Sequence, residues 1–454
     1  ILVMAGRVQL ETSGPQDAFF TDDPEYTYFI KNFQKHTNFA PFFVDLDVQG
    51  EVEFGNTIRC TIPQNQGDLL KTVSMKVELS SIQQNLVGGI EGIGYVESIG
   101  HAMIEYVEIL IGGQVIQRIP SDFLAIYSDN YVTQTKQHNL AKLIGKPPLE
   151  LSGTNVRQRK IAGYLGLATS DTKYFVDIPF YFYNNPELAV PLCAITGQEI
   201  EIVIKLRDLK DCVWGYDATD PANSNSIYYL SDYIQTKGLI KSLKLTTEMV
   251  SLDEEEKQML LSKKIDYIIT QIQESKSIIP QDSSASSIVD VKHKLKFKNP
   301  VKELFFIIQR LIKVDLYSVN PVPIFVTNFD YDSDYQLYNG EYVNYEHLQN
   351  LELQLDDSVI LDRVTGNVIN LRAIQSGIHH SRTQLFRRYY SYSFALEPER
   401  WYPTGQRNFS LIKEQDLKLK ILPDISSKRE LRVLGLSYNI LRVENGIAKT
   451  LFNL

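Results

Sequence analysis

The sequence predicts an all-β protein: two tandem eight-stranded jelly rolls (a double jelly roll), joined by a short helical linker and preceded by an extended N-terminal arm. Three observations carry this. Most apolar segments alternate with polar residues at a period of two, the pattern of half-buried strands. The chain holds 26 Tyr and 21 Phe among 454 residues, and aromatic and β-branched side chains fit pleated surfaces. The third observation is an internal repeat. Pro186-Glu-Leu-Ala-Val-Pro191 and Pro398-Glu-Arg-Trp-Tyr-Pro403 share the pattern P-E-x-x-x-P, 212 residues apart (186 against 398). Each follows an aromatic stretch, IPFYFYNN (178–185) and YYSYSFALE (389–397), and precedes an alternating one, EIEIVIKL (199–206) and DLKLKI (416–421). Three features repeated in one order imply two copies of one β domain. Proline suits the corner because it fixes φ and has no N–H for a ladder, so the chain leaves the sheet there.

Taken in order, residues 1–25 form the arm, which lacks strand periodicity. The first jelly roll spans 26–251, with strands expected at 51–62 (EVEFGNTIRCTI), 72–79 (TVSMKVEL), 104–111 (IEYVEILI), 174–183, 199–206 and 240–250. In 199–206 strict alternation places Ile200, Ile202, Ile204 and Leu206 on one face. A helix is expected from Ser121 through Tyr127. The linker, 252–265, holds a helix near 252–263. Ser251-Leu-Asp-Glu254 reads as its capping box, and Asp253 to Glu256 sit where the helix dipole favours negative charge. The second jelly roll spans 266–454, with strands expected at 292–298, 303–309, 351–355, 388–396, 416–421 and 431–443. Long polar excursions near 134–172, 207–238 and 310–350 are places for surface recognition.

Composition narrows the function classes. Hydrophobic residues make up 43% and charged residues 22% of the chain, a globular balance that excludes disorder. No apolar run approaches the length of a transmembrane helix, and no secretory signal is read at the N-terminus. The charge of 46 Lys+Arg against 55 Asp+Glu, net −9, is opposite to that of a nucleic-acid binder. Cys60, Cys193 and Cys212 are too sparse for a disulfide framework or a zinc site, and fit a reducing compartment.

Candidate chemistry is thin. Gly92-Ile93-Gly94 lacks the third glycine of a phosphate loop, since residue 97 is Glu97, and reads as a turn. Asp330, Asp332, Asp334 and Glu341 have calcium-loop spacing, but Tyr335 stands where the turn glycine belongs; a solvated acidic loop is the simpler reading. His379 and His380, if in a strand, point to opposite faces and would not chelate one ion together. Arg382 to Arg388 (RTQLFRR) reads as a strand edge or a subunit contact. Asn408-Phe409-Ser410 matches a glycosylation acceptor. No catalytic, cofactor-binding or metal site is assigned, and the chain is read as a non-enzyme without cofactors.

Several blocks, in order along nearly the whole chain, resemble the double jelly-roll major capsid proteins of nucleocytoplasmic large DNA viruses, the group including iridoviruses, phycodnaviruses and marseilleviruses. TYFIKNFQKHTNFA (27–40) resembles that family's opening arm and first strand. HAMIEYVEILIGGQVIQR (101–118) is similar to its strand ending in Ile-Gly-Gly-Gln. IPFYFYNNPELAVPLCAI (178–195) and YSYSFALEPERWYPTGQRNFSLI (390–412) resemble its two corners. VSLDEEEKQML (250–260) resembles its interdomain helix, NPVKELFFIIQ (299–309) an early strand of the second domain, and LSYNILRVENG (436–446) the closing strand. The family corner often reads Pro-Ser-Gly before Asn-Phe-Ser, where this chain has Pro403-Thr404-Gly405-Gln406-Arg407-Asn408.

The resemblance implies a structural role without catalysis. Three chains would form a homotrimer of pseudo-hexagonal outline, and trimers would tile the icosahedral shell of a large double-stranded DNA virus. The implied partners are further copies of the chain, minor capsid and penton proteins, and internal membrane proteins through the arm, with no direct nucleic acid. The implied location is the virion, after assembly in the cytoplasm of the infected cell. The alternatives are a jelly-roll carbohydrate-binding protein or glycosidase, or a same-fold minor capsid or scaffold protein. A sugar site needs aromatics and paired carboxylates in one groove. Trp, the usual platform, is limited to Trp214 and Trp401, and Trp401 lies in the repeated corner, where packing is the expected role.

Overall fold

Sixteen strands form the main paths of four principal sheets in the computed structural model, and three short strands pair alongside them. The structure describes residues 5–12, 14–31, 33, 35–82, 90–96, 98–146, 171–217, 227–228, 238–280, 288–311, 329, 335–338, 341–344, 346–382, 389–423 and 428–452. The first eight strands are β1 (Phe39–Asp47), β2 (Thr57–Thr61), β3 (Leu69–Leu79), β4 (Ile104–Ile111), β5 (Gln114–Pro120), β6 (Thr172–Asp177), β7 (Ile200–Leu206) and β8 (Ile240–Leu252). They form two antiparallel sheets, ordered β1-β8-β3-β6 and β2-β7-β4-β5. The next eight are β9 (Ile265–Ile279), β10 (Val289–Lys294), β11 (Pro300–Arg310), β12 (Leu348–Leu355), β13 (Ser358–Leu361), β14 (Tyr390–Ser393), β15 (Gln415–Ile421) and β16 (Arg429–Glu444). Their sheets are ordered β9-β16-β11-β14 and β10-β15-β12-β13. Adding eight to each strand of the first pair gives the second pair, so the chain is two jelly rolls of identical topology.

The repeated corner occupies the same place in both. After β6 the chain bends through Pro186–Leu188 and pairs Val190-Pro191 with Leu70 and Leu69 at the start of β3. After β14 it bends similarly and pairs Arg407-Asn408 with Val301 and Pro300 at the start of β11. A short 3₁₀ turn, Leu192–Ala194 or Phe409–Leu411, then leads into β7 or β15.

Several boundaries differ from expectation for local reasons. Within 51–62 only Thr57–Thr61 is strand, because Gly55 takes φ +86° and turns the chain. Within 174–183 the strand stops at Asp177, and Pro179 begins a run of turns. The strand expected at 292–298 is Val289–Lys294. The helix from Ser121 runs on to Asn130. A second helix, Gln134–Ile144, opens the excursion read as loop. The Ser251 capping box does not form: Ser251 pairs with Ala40 inside β8. The linker helix is Glu254–Ser262, and Asp253 caps it, its Oδ1 accepting from Glu254 N at 2.7 Å. Asp253→Ala is therefore expected to cost about 1 kcal/mol in equilibrium unfolding, and Ser251→Ala much less.

Residues 1–38 form one unit and Phe39–Leu454 another. In the first, Ala5–Glu11 and Pro15–Thr21 are short helices, and no strand precedes Phe39 among the described residues. In the second, β11 shows how the core is arranged. Its run Leu304-Phe305-Phe306-Ile307-Ile308 does not alternate, because both faces of the strand are covered. Leu304, Phe306 and Ile308 join Leu431 and Val433 of β16 inside the second jelly roll. Phe305 and Ile307 join Leu434 and Leu436 in a cluster continuous with the interior of the first.

Candidate functional site

A concentration of buried polar side chains lies at the seam between the two jelly rolls. Helix Ser121–Asn130, which follows β5, lies against the outer face of the β9-β16-β11-β14 sheet. Phe123 on that helix meets Phe305 of β11 at 6.4 Å between ring centroids. Such a helix buries polar groups as well, and each needs a partner.

Glu303 of β11 is fully buried and serves both jelly rolls. Its Oε2 accepts from the Tyr131 hydroxyl at 3.1 Å, and its Oε1 lies 2.6 Å from His380 Nε2. The other ring nitrogen, Nδ1, sits 3.4 Å from Glu399 of the second corner. Burial alone would disfavour an imidazolium, but Glu303 and Glu399 outweigh it and hold the His380 pKa at about 9. Burial likewise opposes the ionised Glu399, yet His380 and two hydrogen bonds from Ser381 keep its pKa below the usual range. Burial, and then the Glu303 charge, push the Tyr131 hydroxyl far up. Beside them Lys302 donates to the Pro398 carbonyl at 2.8 Å, and burial lowers its pKa to about 8.

The same helix makes further cross-seam contacts. Arg432 of β16 reaches Asp122 at 3.1 Å, and Tyr389 donates to Asn130 Oδ1 at 2.7 Å. Asp129, fully buried, takes Lys146 at 2.7 Å and Arg382 at 3.9 Å. At the other end of the seam the C-terminal hairpin turns at Asn445-Gly446, both with positive φ, as a tight two-residue turn requires. Gly446 O accepts from Gly197 N at 3.0 Å, and a Cβ there would lie 2.8 Å from Thr196 Oγ1.

The arrangement is a clamp. Glu303 is fully buried and held by His380 and Tyr131, and an enclosed carboxylate so held is poorly placed to exchange protons with a substrate. Glu399, held by His380 and Ser381, is only partly buried. A cavity of about 80 Å³ opens beside them, lined by Tyr127, Tyr131, Tyr183, Lys302 and Trp401 among others. It brings aromatics and Glu399 together, as the sugar-binding alternative asks. It is nevertheless small against the roughly 300–1,000 Å³ of ordinary ligand pockets, and holds a few waters at most.

Other sequence candidates fall elsewhere. His379 and His380 end a helix rather than lie in a strand. Their rings have different partners: His379 Nδ1 lies 3.0 Å from Leu396 O, and His380 Nε2 lies 2.6 Å from Glu303 Oε1. Gly92-Ile93-Gly94 is not a turn but part of strand Ile90–Tyr95, paired with Val213–Asp217. Asp330, Asp332 and Asp334 lie outside the described residues, and Glu341 begins one strand of a hairpin. Arg382 bonds Gln134 and the Asp129 carbonyl rather than forming a strand edge, and 383–388 lie outside the described residues. Asn408 caps the turn at Phe409, accepting from Ser410 N at 3.0 Å. Trp401 is half-buried and meets Tyr402 edge-on; the Trp214 side chain lies outside the described residues. Among the described residues no cluster of metal-ligating side chains occurs, and no helix is long and apolar enough to cross a membrane. Glu303 escaped sequence reading, although a charge beside a non-alternating apolar run was its visible signal.

Comparison with known proteins agrees with this architecture. The family described as "Major capsid protein N-terminus" matches residues 27–236, and "Large eukaryotic DNA virus major capsid protein" matches 256–449. The major capsid protein of Pyramimonas orientalis virus is 28% identical over 97% of this chain and 98% of its own length. Capsid protein 1 of Acanthamoeba polyphaga mimivirus is 31% identical over 66% of this chain and 48% of its own. Among solved structures, VP54 of PBCV-1 superposes with a TM-score of 0.71 at 18% identity, over 94% of this chain and all of that one. The Faustovirus major capsid protein gives 0.69 at 12% identity, over 97% of each chain. Two family matches, one per jelly roll and in chain order, together with the fold, establish that the chain belongs to the major capsid proteins of large eukaryotic DNA viruses.

Proposed function

We propose that three copies of this chain close into a pseudo-hexagonal trimer, and that trimers tile the virion shell. The observation that carries this is the asymmetry of the seam. A helix of the first jelly roll lies on a sheet of the second, so the contact is heterologous. Heterologous contacts repeated by rotation close into rings, and three two-lobed chains give six similar lobes. Many modest contacts between tiles suffice for a stable shell. For the chain we take 1–25 as arm, 26–251 and 266–454 as the jelly rolls and 252–265 as linker. We assign the arm to minor capsid, penton or internal membrane proteins. Phe19 and Phe20 in the arm are almost fully exposed and offer apolar surface for such contacts. The net charge of −9 favours a shell that does not touch the genome directly. Assembly in the host cytoplasm belongs to the same reading.

Light scattering after size exclusion tests the trimer. The expected mass is three times 51.9 kDa, with hexagonal outlines in negative stain. A well-folded monomer at assembly concentrations overturns it.

A further inference from the structure

The heterologous seam leaves one surface of each kind unused in the chain. The second jelly roll has its own helix after β13, the counterpart of Ser121–Asn130. The first has its own sheet β1-β8-β3-β6, the counterpart of the covered one. Both leave side chains exposed among the described residues, Ile369, Ile374 and Ile378 on the helix and Phe43 on the sheet.

The helix, 368–379, contains one π turn, Asn370–Ile374. Leu371 and Ser376 point inward and are buried. Ile369, Ile374 and Ile378 are 70%, 47% and 68% exposed. The wide π turn accommodates the five-residue step from Ile369 to Ile374, and the next step is four, so the three line one stripe. Its counterpart Ser121–Asn130 is buried along nearly its whole length. An apolar stripe where the topological twin is covered marks a surface awaiting the same kind of cover.

The open sheet is suited to be that cover. Phe43 of β1 is 72% exposed and pairs with Glu248 of β8. The polar groups around it are already partnered. Lys71 holds Glu248 at 2.8 Å, and Asp177 accepts from Ser74 at 2.6 Å and Tyr183 at 3.0 Å. Covering such a face strands no single charge, which is the costly case.

We infer that the Ile369–Ile374–Ile378 stripe docks on the outer face of the β1-β8-β3-β6 sheet of a second copy, centred on Phe43. This rests on the ring reading above and names its contact between chains.

Two measurements on the full chain test it. Ile374→Asp with Ile378→Asp is expected to abolish the trimer peak in light scattering, leaving a monomer with unchanged far-UV circular dichroism. Leu411→Asp, equally exposed but off both surfaces, keeps the trimer. Independently, Phe43→Cys with Ile378→Cys is treated with a short bismaleimide in a Cys193→Ser background, since Cys60 and Cys212 are buried. Covalent dimers and trimers are expected on a denaturing gel, and monomers alone from either single-cysteine chain. A trimer that survives the aspartates and gives no crosslinked ladder overturns this contact and leaves the ring standing. The same holds if the aspartates abolish only association between trimers. A wild-type chain that stays monomeric overturns the ring and this contact together.

Discussion

Glu303→Ala is expected to lower unfolding stability by about 3–5 kcal/mol, the loss typical of removing one partner from a buried ion pair. The carboxylate is fully buried and holds His380 and the Tyr131 hydroxyl at once. Without it the Tyr131 hydroxyl loses its partner and His380 keeps only Glu399, 3.4 Å from its Nδ1, and Phe305 loses the fixed surroundings that seat it against Phe123. The signature that separates this clamp from ordinary packing is its pH dependence. His380 titrates at about 9 in the folded chain, against about 6.5 when unfolded. A raised folded pKa means that its stabilisation is complete below pH 6.5 and is lost as pH rises through 9. Lys302 acts with the opposite sign. Burial lowers its pKa to about 8, against about 10.4 unfolded, so between those values the unfolded chain binds the extra proton and stability rises with pH. Together they predict a fall of about 2 kcal/mol from pH 6.5 to 8, then a plateau to about 9 where the two slopes cancel. Urea titrations at half-unit pH steps measure this. Glu303→Ala should flatten the fall, and Lys302→Met should replace the plateau with a continued decline. A wild-type profile flat from pH 6 to 9 would mean that His380 is neutral at the seam.

The parts of the fold legible in the sequence are those where one face meets a core and the other meets water. β7 has Ile200, Ile202 and Ile204 inside and was readable at once, as was β15. The repeated proline corner was readable because proline's missing donor is a backbone property that survives any packing. The seam was harder. β9 was not expected as a strand, because Thr270, Gln271 and Gln273 interrupt its apolar pattern. Gln271 is buried there as a connector, bonding the Ile116 carbonyl across the seam at 2.7 Å. β5 and β13 were missed for a related reason: short, half-covered strands carry little periodicity. The His379-His380 pair was visible, but its role depended on a carboxylate 77 positions away in sequence. Alternation reports burial on one face; it cannot report which distant side chain satisfies a buried polar group. The non-alternating run in β11 came closest to announcing the seam.

Gly366→Ala is expected to destabilise the second jelly roll by on the order of 4 kcal/mol, a cost reserved for unavoidable clashes and lost networks. Gly366 is not at positive φ, so the constraint is space. An added Cβ would lie 1.7 Å from the Leu351 carbonyl and 2.8 Å from that of Asp362. Neither can yield cheaply. Leu351 is fully buried in the middle of β12, and its N–H donates to Gly366 O at 2.8 Å. Asp362 anchors the turn from the other side, accepting from Thr365 N at 2.7 Å and Val364 N at 2.9 Å, and Gly366 N donates back to its carbonyl at 2.7 Å. Those hydrogen bonds hold the Asp362 carboxyl below its ordinary pKa, so the turn is fixed before the helix 368–379 begins. Gly113→Ala is the control. Gly113 has φ +78° but no atom within 4 Å of the added carbon, so it bears only backbone strain of about 1 kcal/mol. Thermal unfolding should show a fall of about 10 °C for the first substitution and a few degrees for the second. Because the turn aims the Ile369–Ile374–Ile378 stripe, Gly366→Ala should also weaken trimers at temperatures where the chain remains folded, whereas Gly113→Ala should not. Equal, small effects of the two substitutions would show that the turn is free to move and that the stripe is not held for docking.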